Sequence, residues 1–163
     1  MIRNCTFNDA KTICKIYNYY IKNTTITFEE TALTPGDIEE RIKVVTQKYP
    51  WLVYENNGKV IGYAYVGEFK SRCAYRFTAE SSVYVDHSCQ KQGIGFALYT
   101  ELINRLKQQR IHSIIGVIAI QNDPSIRLHK KLGFEKVGVL KEVGYKFGRW
   151  VDVEYWQLIS ELN

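Results

Sequence analysis

The sequence lacks the repeats, the proline-rich segments and the long apolar runs that are typical of fibrous, disordered and membrane-spanning proteins. Proline occurs 3 times and methionine once in 163 residues, and there is neither a repeat nor a low-complexity stretch. No apolar run approaches the roughly 20 residues needed to cross a bilayer. With 45% hydrophobic and 24% charged residues, the composition is that of a folded globular protein and excludes collagen, coiled coil and disorder. The length predicts a single domain over residues 1–163.

The cysteines show no C-x-x-C pair and are too sparse for a disulfide scaffold. We interpret Cys5, Cys14, Cys73 and Cys89 as reduced, mostly small apolar side chains. His87 stands close to Cys89, but no second ligand pair follows at the spacing of a zinc site, so no metal is expected. The first residues carry no apolar signal segment, and we therefore expect a cytoplasmic protein.

The charge balance is moderately basic. Lys and Arg number 22 against 17 Asp and Glu, which gives a net charge of +5. The basic residues are scattered along the chain, as on an ordinary mixed-charge surface, and no nucleic-acid-binding motif accompanies them. An anionic partner is permitted, but we expect neither nucleic acid nor a membrane.

Hydrophobic spacing and turn signals predict the element order βααβββαβαββ, which is a mixed α/β protein with helices on both faces of a sheet. Asn56-Asn57-Gly58 indicates a tight hairpin turn. Residues 113–120 are almost continuously apolar, as in a strand buried on both faces. The predicted strands are 2–7, 51–55, 60–66, 77–85, 113–120, 135–143 and 153–158, and the helices begin near 9, 35, 93 and 124.

A polar loop with two glycines joins the strand that ends at Val85 to the next helix. Unpaired backbone N–H groups and a positive dipole end favour anions at a helix start. Gly93 and Gly95 lack a Cβ, so that a ligand can approach the backbone closely. The segment Gln90-Lys91-Gln92-Gly93-Ile94-Gly95 therefore predicts a cradle for a phosphate or pyrophosphate, although a glycine-rich connection without ligand has the same pattern.

Two better-known phosphate loops do not match this segment. A dinucleotide fingerprint needs a third small residue where Leu98 stands. A P-loop ends in Gly-Lys-Ser/Thr, which Phe96 and Ala97 do not supply. The remaining pattern is Gln-x-x-Gly-x-Gly between a strand and an amphipathic helix.

That pattern resembles the acetyl-CoA pyrophosphate loop of the GNAT N-acetyltransferases. The segment Asn122–Phe134 resembles the second cofactor motif of the same superfamily. Further segments, in the same order along nearly the whole chain, resemble the phosphinothricin acetyltransferase branch: Tyr49–Val53, Arg72–Tyr75, Glu80–Val85, Gly148–Val153 and Trp156–Leu158.

The resemblance implies a fold, an activity and an assembly. The fold would be an α/β (α+β) domain with a mixed, mostly antiparallel central sheet that is splayed at the cofactor site and flanked by helices. The activity would be direct transfer of acetyl from acetyl-CoA to the primary amine of a small amino acid or analogue, such as phosphinothricin, methionine sulfoximine or methionine sulfone. A homodimer is expected, because related enzymes pair through sheet edges and C-terminal segments. A non-catalytic acyl-CoA sensor and a protein or peptide acetyltransferase remain alternatives.

For catalysis, the resemblance implies Glu80 as the base that removes a proton from the ammonium form of the amine. The alternative is a solvated carboxylate or an ion pair with Arg72 or Arg76. His129 occupies a position where many members have a tyrosine proposed to protonate the leaving thiolate, and it could donate or accept a proton. Its alternative is a helix histidine that bonds a backbone carbonyl.

For binding, the resemblance implies a main-chain N–H at Val85, with Val83 beside it, facing the thioester and the pantetheine arm. The other expected cofactor residues are Gln90, Lys91, Gln92, Gly93, Ile94, Gly95, Asn122 and Ser125, the last two of which could equally be a turn-forming asparagine and a helix-start serine. For the acceptor, Arg72 could pair with a carboxylate or phosphinate, and Tyr75 and Phe28 could form walls.

Overall fold

The computed structural model describes residues 1–89 and 92–160, so Gln90 and Lys91 of the expected cofactor loop lie outside the described residues. The order of the described elements follows the predicted order. The strands are β1 (Ile2–Asn4), β2 (Trp51–Asn56), β3 (Lys59–Glu68), β4 (Thr78–Val85), β5 (Ser113–Ala119), β6 (Glu135–Lys146) and β7 (Arg149–Ile159). The helices are α1 (Ala10–Asn23), α2 (Pro35–Thr46), α3 (Ile94–Gln108) and α4 (Asp123–Lys131).

The strands form one seven-stranded sheet in the order β1-β2-β3-β4-β5-β7-β6. All neighbours are antiparallel except β4 and β5. The parallel pairing of β4 with β5 begins at Thr78 opposite Ser113 and ends at Ser81 opposite Gly116. Because both strands continue beyond this last pair, they part toward their carboxyl ends. The predicted mixed, mostly antiparallel sheet with a splay is confirmed.

Each face of the sheet is covered by helices, as predicted. Helices α1 and α2 bury one apolar cluster against β2 and β3, with Ile13, Ile38 and Trp51 at most 3% exposed. Helix α3 buries the other cluster, in which Leu98, Leu102 and Leu106 are 0% exposed. Since burying a side chain of this kind contributes about 1.5–3 kcal/mol, these two layers stabilise the sheet that contains the splay.

Local chemistry explains where the predicted element bounds are right. Thr34 caps α2, because its hydroxyl accepts from the Asp37 N–H at 3.2 Å and the Asp37 carboxylate accepts from the Thr34 N–H at 2.7 Å. The β2–β3 turn has positive φ angles at Asn57 and Gly58, as a tight hairpin requires.

The predicted strand bounds are wrong at two places in the chain, the end of β1 and the last hairpin. Strand β1 stops at Asn4 instead of residue 7, because the Asp9 carboxylate accepts from the Thr6 N–H at 2.8 Å and starts a short 3-10 turn. Most of the expected connection 145–150 is strand. The true turn is only Phe147 and Gly148, whose φ angles of 51° and 73° close a two-residue hairpin.

Within residues 1–89 and 92–160, none of the helices combines the length and the apolar character needed to span a bilayer.

Candidate active site

A cleft of about 550 Å³ lies where β4 and β5 part, between the end of β4 and the first turns of α3 and α4. Its volume is in the usual range for a small-molecule or cofactor site. All the expected cofactor residues that the structure describes line this cleft: Val83, Val85, Gln92, Gly93, Ile94, Gly95, Asn122 and Ser125. Sequence reasoning missed several further lining residues, including Tyr20, Ile26, Cys89, Gln121 and Leu128.

The main-chain N–H groups of Val83 and Val85 point toward the splay. In an antiparallel pair, residues alternate between bonding the neighbouring strand and pointing away from it. Asp86 donates its N–H to the Ile61 carbonyl at 2.8 Å. Counting from Asp86 toward the start of β4, every second residue therefore forms its backbone hydrogen bonds with β3. Val85 and Val83 therefore present their amides to the β5 side, beyond Ser81, where β5 has moved away. Within residues 1–89 and 92–160, these donors have no strand partner at the edge of the cleft.

The start of α3 forms the anion-binding end of the cleft. Its N-cap, Gly93, has a φ of 76°, a left-handed conformation that glycine adopts without strain. A glycine cap has no side chain to occupy the first-turn N–H groups, which leaves them and the dipole for a ligand. Arg127 and Lys131 of α4 also line the cleft and add positive charge. This set of donors and cations fits a long cofactor that carries phosphates.

The start of α4 is shaped by Asn122. Its side-chain oxygen accepts from the Ser125 N–H at 3.3 Å and caps the helix. Asn122 therefore has the turn-forming, helix-capping role that the sequence also allowed. That role is compatible with a cofactor contact, because Asn122 and Ser125 both line the cleft.

Glu80 lies near the start of β4 and is half-buried. Side chains alternate across a strand, so the Glu80 carboxylate lies on the sheet face opposite to that of Ser81. Burial raises the pKa of Glu80. In the part of the chain that the structure describes, this carboxylate has no hydrogen bond or ion pair, and Arg76 bonds the Cys73 carbonyl instead. A free carboxylate with a raised pKa is suited to accept a proton near neutral pH.

His129 lies behind the cleft and does not itself line it. The side chain is only 4% exposed, and its Nδ1 donates to the Ser125 carbonyl at 2.8 Å. Its Nε2 lies 3.0 Å from the Tyr99 hydroxyl. Burial lowers the pKa of His129, and the bond to Ser125 opposes that shift. The Ser125 hydroxyl lies 3.4 Å from Nδ1, and Ser125 lines the cleft.

Three residues that sequence reasoning missed hold this ring. Tyr99 bonds its Nε2, and Ser81 bonds Tyr99 in turn. Gly116 of β5 leaves room for the imidazole, since a Cβ there would overlap the Nε2 atom. The helical spacing of Tyr99 with Leu102 and Leu106 marks it as a core residue, but nothing in the sequence indicates a polar partner for its hydroxyl.

The expected acceptor residues lie in separate segments. Arg72 and Tyr75 lie in the β3–β4 connection, a few residues before Glu80 in the sequence. Arg72 is exposed, and the Tyr75 ring packs edge-on against Phe69 with ring centroids 5.7 Å apart. Phe28 lies in the α1–α2 connection and packs against Gly144 of β6. In the described chain no hydrogen bond or ring contact joins Phe28 to the other two.

The sequence matches the family model for the acetyltransferase (GNAT) domain over residues 2–155. The chain belongs to the GNAT acetyltransferase family. Enzymes of this family use acetyl-CoA, in agreement with the phosphate-binding character of the cleft. Among the described residues there is no cluster of three or more His, Cys, Asp or Glu that could hold a metal ion.

Named GNAT relatives match nearly the whole chain. Phosphinothricin N-acetyltransferase of Streptomyces viridochromogenes is 43% identical over 99% of this chain and 88% of its own length. The L-methionine sulfoximine/L-methionine sulfone acetyltransferase of Salmonella typhimurium is 36% identical over 92% of this chain and 88% of its own. The crystal structure of a GNAT phosphinothricin acetyltransferase from Sinorhizobium meliloti in complex with acetyl-CoA superimposes with a TM-score of 0.94, at 37% identity, over 98% of this chain and 87% of that one.

Proposed function

We propose that this GNAT enzyme acetylates the primary amine of a small amino acid or analogue of the phosphinothricin, methionine sulfoximine or methionine sulfone type. The observation that carries the proposal is the half-buried Glu80 carboxylate, which has no hydrogen bond or ion pair among the described residues and lies on the strand whose other end forms the cofactor cleft. The names of the relatives support the class of acceptor. When bound, acetyl-CoA supplies an acetyl group activated as a thioester.

The residues of the chain divide the remaining work. Glu80 accepts a proton from the acceptor ammonium and leaves a nucleophilic amine. The N–H group of Val85 donates to the developing negative charge on the acetyl oxygen, and Val83 lines the pantetheine arm. Protonated His129 releases its Nδ1 proton to the Ser125 hydroxyl while that hydroxyl passes its own hydrogen to the departing thiolate, and the second proton of the attacking nitrogen passes to water. Arg72 binds the acidic group of the acceptor, while Tyr75 and Phe28 enclose its side chain.

The cofactor cradle is proposed to extend through the whole loop. Gln90, Lys91 and Gln92 add donors to those of Gly93, Ile94 and Gly95 at the α3 start. Asn122 and Ser125 bind the pantetheine arm from the other side of the cleft.

An acceptor screen at saturating acetyl-CoA tests the activity. We expect release of the CoA thiol to depend on phosphinothricin, methionine sulfoximine or methionine sulfone, and to stay at background with a peptide that offers only an N-terminal amine. Turnover with the peptide alone would instead favour a protein acetyltransferase. Tight CoA binding with no turnover on any amine would indicate a non-catalytic acyl-CoA sensor.

We also propose that the enzyme works in the cytoplasm as a homodimer and confers resistance to such analogues. Strand β6 lies at the sheet edge and exposes a row of apolar side chains, an arrangement that favours pairing with another chain. Its exposed apolar residues include Val137, Val139, Leu140 and Val143, which are 55%, 41%, 45% and 52% exposed. A second copy of the chain would cover them.

Replacing Leu140 with Lys is expected to convert the dimer to a monomer, because the added charge would have to be buried against the partner. Light scattering after gel filtration should give the mass of two chains for the wild type and 19.0 kDa for Leu140→Lys. Val44→Lys on α2 is the matched control, since Val44 is similarly exposed but lies far from β6 in sequence. A wild type that elutes at 19.0 kDa contradicts the proposal.

A further inference from the structure

A buried chain of hydrogen bonds runs from α4 through α3 and β4 to β5. It starts at the Ser125 carbonyl, which lies 2.8 Å from His129 Nδ1. It continues from His129 Nε2 to the Tyr99 hydroxyl at 3.0 Å and from there to the Ser81 hydroxyl. It ends at the Ile115 carbonyl, 3.1 Å from the Ser81 oxygen. The three side chains are between 0% and 6% exposed, so solvent does not complete their bonding.

The number of hydrogens available to this chain differs between the neutral and the protonated form of the His129 ring. Both ends are carbonyl oxygens, which can only accept, and four contacts lie between them. Neutral His129, Tyr99 and Ser81 carry one hydrogen each, which is one too few for four contacts. An imidazolium carries two, and then every contact has a donor and an acceptor.

We propose that Tyr99 and Ser81 are positioning residues that allow the buried His129 ring to take up a second proton by turning two hydroxyl groups. In the neutral state Tyr99 donates to Nε2 and Ser81 donates to Tyr99. When a proton from solvent or substrate reaches the ring, Nε2 donates to Tyr99, Tyr99 to Ser81, and Ser81 to the Ile115 carbonyl. No heavy atom has to move, and no charge other than that of the added proton appears.

The hydrogen-bonded chain is the main feature around His129 that can stabilise a protonated ring. Tyr99 of α3 is the titratable group in direct contact, and Glu80 of β4, beside Ser81, raises the pKa of Tyr99 further after burial has raised it. Strand β5 carries no titratable side chain, and Phe134 covers the ring edge-on at 4.9 Å. The charged residues of α4 itself are exposed: Asp123, Arg127, Lys130 and Lys131.

Ser81 gives the decisive test because it does not touch the histidine. Ser81→Ala leaves the neutral chain satisfied, with Tyr99 still donating to Nε2. In the protonated chain it removes the acceptor of the buried Tyr99 O–H. We therefore expect Ser81→Ala to weaken proton binding by His129 about tenfold, which is equivalent to about 1.4 kcal/mol.

The measurement is an NMR pH titration of the imidazole resonances in the enzyme without ligands. Only His87, His112 and His129 are present, so His87→Asn and His112→Asn assign the signals. Ser81→Thr keeps the hydroxyl and should restore the wild-type titration. Ser82→Ala removes a hydroxyl from the opposite face of β4 and should leave it unchanged.

The catalytic use of the second proton on His129 rests on the proposed acetyl transfer. The pH titration of the His129 ring does not depend on that proposal. A His129 that titrates identically in wild type and Ser81→Ala, or that stays neutral throughout in the wild type, overturns the inference whatever the activity. The expected titration shift in a protein without turnover on any amine supports the inference and overturns the proposed function instead.

Discussion

Replacing Glu80 with Gln is expected to lower kcat about 10²–10⁴-fold, the usual contribution of a positioned general base, while KM changes little. Glutamine keeps the shape of the side chain but cannot accept a proton from the ammonium. Because Glu80 makes no hydrogen bond or ion pair with the described residues, the substitution breaks no structural contact there. The loss should therefore appear in the chemical step and leave folding intact.

The pH dependence separates a base from a binding residue. Burial raises the pKa of Glu80, and the unprotonated form is lost as the pH falls through that raised value. Wild-type kcat/KM should fall on the acid side with this midpoint, and the fall should be absent from Glu80→Gln. Glu68→Gln, an exposed carboxylate at the end of β3, is the control and should behave as wild type. An unchanged kcat in Glu80→Gln would rule out its role as base.

The fold could be predicted where the information is local. The caps and tight turns, such as Thr34 before α2 and Asn57-Gly58 between β2 and β3, are written in adjacent residues. The last hairpin was harder to predict, because Phe147 adopts its positive φ only once β6 and β7 pair around it. The residues that line the cleft could be predicted for the same local reason, since they lie in contiguous segments that fold as strand ends and helix starts.

The buried hydrogen-bonded chain was not predictable, because its members come from three elements that are distant in sequence. Ser81 resembles any strand serine, and Tyr99 resembles any core tyrosine. Only the register of β4 with β5 and the packing of α3 and α4 bring both to His129. On the acceptor side, the resemblance groups Phe28 with Arg72, two residues from distant parts of the sequence, and this grouping stays a prediction.

Gly116→Ala is expected to be strongly damaging although it adds only a single methyl group. A Cβ on Gly116 would overlap the His129 ring, with the Cδ2 atom only 2.6 Å away. The ring cannot shift freely, because Tyr99 and Phe134 hold it edge-on at 5.2 and 4.9 Å. Forcing a methyl group into such packing lowers the free energy of unfolding by about 1–3 kcal/mol. Displacement of the ring by about 1 Å should lower kcat about 10²-fold.

A double-mutant cycle identifies the overlap as the cause. His129→Ala removes the ring, so Gly116→Ala should destabilise the wild type but hardly change a His129→Ala background, as judged by chemical unfolding. Gly67→Ala is the matched control for stability, since a Cβ at that strand glycine meets no atom within 4 Å. Equal destabilisation of Gly116→Ala in both backgrounds would show that the strand itself, and not the histidine, requires glycine. The expected coupling would mean that β5 keeps a glycine at the last residue paired with β4 so that a buried imidazole can lie directly behind the splay.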